Sequence, residues 1–79
     1  MSSEEIIRAI RLRLPITAEV TSGGQVSTVK CDRITAYVLW IDRYNELRKS
    51  VDVIESKTKT LIRTNADNVE LSEHTGGAK

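Results

Sequence analysis

The sequence predicts a small α+β domain: a helix–β-hairpin–helix (αββα) with an extended second helix and a mobile C-terminal tail. Three observations predict it. A capped amphipathic segment opens the chain, and a Gly-Gly pair behind it separates two β-branched stretches. Apolar residues then recur at steps of three and four from Tyr37 to Leu61. The 79 residues suffice for one domain, placed over 1–64, followed by a flexible tail over 65–79. A chain this short buries only about 60% of the surface its unfolded form exposes. Cys31 is the single cysteine, which excludes an internal disulfide and leaves a compact core or a partner to supply stability.

The first helix is expected from about residue 3 to residue 13. Ser2 and Glu5 have the spacing of a capping box, and Glu4 and Glu5 suit the positive end of a helix. Ile6, Ile7, Ile10 and Leu14 follow at helical spacing, and Pro15 cannot continue the helix. Next, Ile16, Ala18 and Val20 alternate with Thr17, Glu19 and Thr21, the two-residue period of a half-buried strand. Gly23-Gly24 supplies the positive φ of a tight hairpin turn, and Gln25 to Cys31 returns as the second strand.

Asp32 is then placed as the N-cap of the second helix. Tyr37, Trp40, Tyr44, Leu47, Val51, Ile54, Thr58 and Leu61 form a heptad-like seam. A second stripe, Ile34, Val38 and Ile41, exists only in the first half, so only that half is expected to be buried on two sides. Past residue 47 the seam has nothing from this chain to cover it. The stretch "NADNVELSEHTGGAK" has low hydrophobicity and an acidic balance, the composition of a mobile tail.

The residues exclude most chemistry. His74 is the sole histidine and stands in the tail without partners for catalysis or metal binding. Cys31 adjoins Asp32, whose charge opposes thiolate formation. Gly23-Gly24 lacks the spacing of a phosphate loop, and Asp42 with Glu46 lies among Arg43, Arg48 and Lys49, which reads as a salt-bridged face. No catalytic, cofactor-binding or metal-binding residue is assigned, and the chain reads as a non-enzyme that needs no cofactor. The first residues put acids where a secretory leader carries bases, and no apolar run reaches membrane-spanning length. The expectation is a cytoplasmic protein with no membrane partner.

What remains is surface. Leu47, Val51, Ile54 and Leu61 form the candidate partner-binding seam, serving a protein partner or self-association through the second helix. Arg8 and Arg11, with Arg13, form a basic edge on the first helix and are the other candidate contacts. The net charge of +1 is too mild for a dedicated nucleic-acid binder, so nucleic acid ranks second as a partner.

The segments "EEIIRAI", "AEVTSGGQV" and "DRITAYVLWIDRYNEL" follow the order helix, hairpin, capped helix. In this the chain resembles the head–tail joining proteins of tailed phages, the lambda gpW type. That resemblance implies a structural role in the virion, at a capsid portal, with Arg8, Arg11 and the hairpin tip as contacts. A competing reading breaks the helix near Ser50 and makes "VDVIES" and "TLIRTNADNVELS" strands, with a turn at residues 65–68. A leading helix followed by strands, with "LIRTNADNVEL" near the end, looks like the Sm-type RNA-binding barrels, although Thr64 replaces the glycine expected after Arg63. A third reading, an oligomeric DNA-binding regulator, needs only basic helices on a paired scaffold.

Overall fold

The computed structural model describes residues 1–72. One helix, α1 (Ser3–Leu12), precedes five strands: β1 (Ile16–Ser22), β2 (Gln25–Ile41), β3 (Leu47–Glu55), β4 (Leu61–Asn65) and β5 (Val69–Leu71). All pairings are antiparallel, in the order β4-β3-β2-β1-β5. The αββα expectation, with its extended second helix, is therefore overturned, because residues 32–65 form strands and turns.

The start of the chain folds for the reasons its residues supply. Ser2 accepts from the Glu5 backbone N–H while the Glu5 carboxylate accepts from the Ser2 N–H, closing both halves of a capping box. Arg13 ends the helix in the left-handed region, and its N–H bonds back into the last turn. Gly23 and Gly24 both have positive φ, the backbone of a two-residue hairpin turn whose twist matches its strands.

The second helix fails on three counts. Residues 36–41, "AYVLWI", are apolar without interruption, and periodicity alone cannot tell such a run from a buried strand. Asp42 then builds a tight turn. Its Oδ1 accepts from the N–H groups of Tyr44 (2.8 Å) and Glu46 (3.0 Å), and Asn45 takes positive φ, so the chain reverses within five residues, 42–46. Finally, β2 carries two bulges against β3, between Cys31 and Arg33 and between Ile34 and Ala36. Each inserts one residue and shifts the side-chain alternation by one. The inward side chains Cys31, Ile34 and Tyr37 thus fall three apart on a strand, where they imitate the period of a helix.

Those bulges also shape the molecule. A bulge bends a strand and increases its twist, so β2 pairs with β1 over its first half and with β3 over its second. The residues at the bulges tie down their neighbours. Thr35 Oγ1 donates to the Asp52 carbonyl at 3.2 Å, and Asp32 accepts from Ser56 Oγ (2.7 Å) and Lys59 Nζ (2.8 Å). The sheet curls until Thr64 of β4 donates its hydroxyl to the Glu19 carbonyl of β1 at 3.3 Å. A 3₁₀ turn, Ala66–Asn68, capped by the Asn65 side chain, carries the chain from β4 to β5. Residues 66–71, expected within the tail, are structured, and Ala66 and Val69 are buried in the core. The end of that tail, with His74, lies outside the described residues.

One core results, made by Ile6 and Ala9 of the helix, Ile16 and Ala18 of β1, Cys31 and Ile34 of β2, Val51 and Val53 of β3, Ala66 and Val69. The helix covers one face of this curled sheet. The competing reading comes nearer, since "VDVIES" and the segment around residues 65–68 do fall largely in strands and a turn. It still keeps a helix up to Ser50, where the backbone is strand and turn, and β4 and β5 pair with β3 and β1 and not with each other. The likeness to phage head–tail joining proteins loses the second helix on which it rested.

Candidate protein-interaction surface

Strand pairing sets where this fold leaves apolar surface open. Strand β3 pairs with β4 only from Ser50 to Ile54, and β2 leaves β1 after Cys31. Residues 38–49 therefore project as a two-stranded arm with no third strand on either side. Residues opposite one another in an antiparallel ladder share a face. The pairs Tyr37–Val51, Leu39–Lys49 and Ile41–Leu47 thus occupy the inner face, continuous with the core, and Val38–Ser50 and Trp40–Arg48 occupy the outer one.

Along the inner face, burial stops abruptly. Val51 is fully buried and Tyr37 packs against the core, whereas Leu39, Ile41 and Leu47 are 56%, 58% and 56% exposed. Three aliphatic side chains in core register thus have no core above them. Tyr44 at the turn and Trp40 on the outer face are also exposed, and Trp40 Nε1 donates to Ser50 Oγ at 3.0 Å. This pins the indole down and gives a partner to Ser50, buried at the base of the arm.

The charges here are structural. Asp42 Oδ2 accepts from Arg48 Nε at 2.7 Å, and the backbone N–H groups of the turn, with Arg48, hold the Asp42 carboxyl below the usual carboxylate range. On β3, Asp52 is buried as a residue and accepts from Arg63 Nε (2.7 Å) and Nη2 (3.0 Å) across the pair it forms with β4. That guanidinium lowers the Asp52 pKa. Cys31 is buried, and burial, then Glu55 and Asp32, push its thiol up, the opposite of an activated nucleophile. Among the described residues no group of three or more His, Cys, Asp or Glu is placed to hold a metal ion. One concavity, about 140 Å³, is lined by Thr17, Ala18, Glu19, Thr28, Asp67, Asn68 and Glu70, and a larger one, about 350 Å³, by residues 28–30 and 55–57. No described helix is long and apolar enough to cross a membrane.

The residues expected to bind a partner are dispersed. Leu47 lies on the arm and is exposed, Val51 is fully buried in the core, Ile54 is half-buried, and Leu61 is exposed at the start of edge strand β4. No single seam joins them, because seven residues are two turns of helix but about 23 Å of strand. Arg8 and Arg11 are exposed on α1, on a different element from the arm. The helical reading left out Leu39 and placed Ile41 in the stripe expected to be buried, whereas both are exposed. A signal was present: the turn chemistry of Asp42 and Asn45 directly after an apolar run marks a hairpin, and alternation back from that turn puts 41, 39 and 37 on one face.

No protein-family model, characterised protein sequence or solved structure matches this chain in the comparisons made.

Proposed function

We propose that this chain is a non-catalytic interaction and assembly module, cytoplasmic, which works through the arm formed by β2 and β3. One observation carries the reading: Leu39, Ile41 and Leu47 stand in core register on an arm with no core above them. Leaving three aliphatic side chains in water on a two-stranded ribbon is costly, because such a ribbon is marginal alone and each side chain gains about 1.5–3 kcal/mol on full burial. A surface of that kind is kept for what it binds. A photo-cross-linking side chain at position 41 should capture a partner in extracts of the source cells, and one at exposed Lys57 should not. Equal capture at both positions, or none at 41, refutes the reading.

A second reading, a small nucleic-acid-binding barrel of the Sm type, is favoured by a different observation. The element order is a leading helix followed by five antiparallel strands, with Ile62-Arg63 in β4 before the last strand. That likeness bears on fold, and function must be argued from a site. Against it, Arg63 is engaged by Asp52. Anisotropy of labelled single-stranded RNA separates the two readings, since real binding would weaken steeply with added salt.

A further inference from the structure

We draw no further inference here: the strongest candidate, the exposed aliphatic patch of Leu39, Ile41 and Leu47 on the inner face of the arm, carries none, because its tip holds Asp42 and Glu46 as well as Arg43 and nothing in the structure shows what covers it.

Discussion

Changing Val51 to Ser separates the strand architecture from a projecting helix more sharply than any other single substitution. On a helical seam, residue 51 would face a partner and its loss would spare the fold. In the structure it is a fully buried side chain of β3, opposite Tyr37 on β2 and Thr64 on β4. The change removes an apolar group whose burial is worth about 1.5–3 kcal/mol. It also buries a hydroxyl among aliphatic neighbours, at a further cost of about 1–3 kcal/mol if no acceptor is reached. A loss of about 3–5 kcal/mol compares with a total stability of about 4–12 kcal/mol for a domain of this size. At about 4–8 °C per kcal/mol, the Tm should fall by at least ~12 °C. Leu47→Ser is the control: the same face, but largely in water, with an expected effect within ~0.5 kcal/mol. Both are followed by circular dichroism in dilute solution, where self-association does not contribute to stability. A Val51→Ser protein melting within ~5 °C of wild type, or a Leu47→Ser protein that falls as far, would refute the core assignment.

Acid should act in one direction. Glu5, Asp32, Asp42 and Asp52 all have lowered pKa values in the fold, from the capping box, Lys59 and Ser56, the turn amides with Arg48, and Arg63 respectively. A depressed folded pKa contributes stability that is fully present above the unfolded carboxylate value of about 4, and is lost as pH falls through the folded one. Melting temperature should therefore hold from neutral pH to about 5 and decline below 4; a rise on acidification contradicts these contacts. Replacing Gly24, at φ 82°, with Val should cost at least ~1 kcal/mol from backbone strain, since a Cβ there meets no atom within 4 Å. An unchanged denaturation midpoint would show that the turn does not need its positive φ.

Local chemistry was legible wherever a few adjacent residues decide the backbone. Ser2 with Glu5, Pro15 after Leu14, the alternation from Ile16 to Val20 and the Gly23-Gly24 pair act within one turn or one strand, and their geometry follows from side chains at most a few positions apart. Asp42 and Asn45 are of the same kind, and give a turn once their hydrogen-bonding habits outweigh a periodic pattern running through them. Over residues 66–71 the tail reading failed for a related reason: Ala66 and Val69 are small islands in a polar stretch, and their burial depends on strands far away in sequence.

By itself, then, the sequence determined the capped helix and the first hairpin. Only the tertiary structure decided the register of β2. Nothing in residues 31–37 announces two bulges, because a bulge forms when a strand must leave one neighbour for another, and the neighbours here are β1 and β3. Those two insertions bend β2, close the curled sheet and turn the alternation after Tyr37 toward the core. They also aim Leu39 and Ile41 along the inner face of an arm that projects beyond the core. Local propensity can say that such residues will be strand. That they share a face follows from alternation back from the Asp42 turn; that this face is the one toward the core, and that it outruns the core, follows from long-range pairing alone.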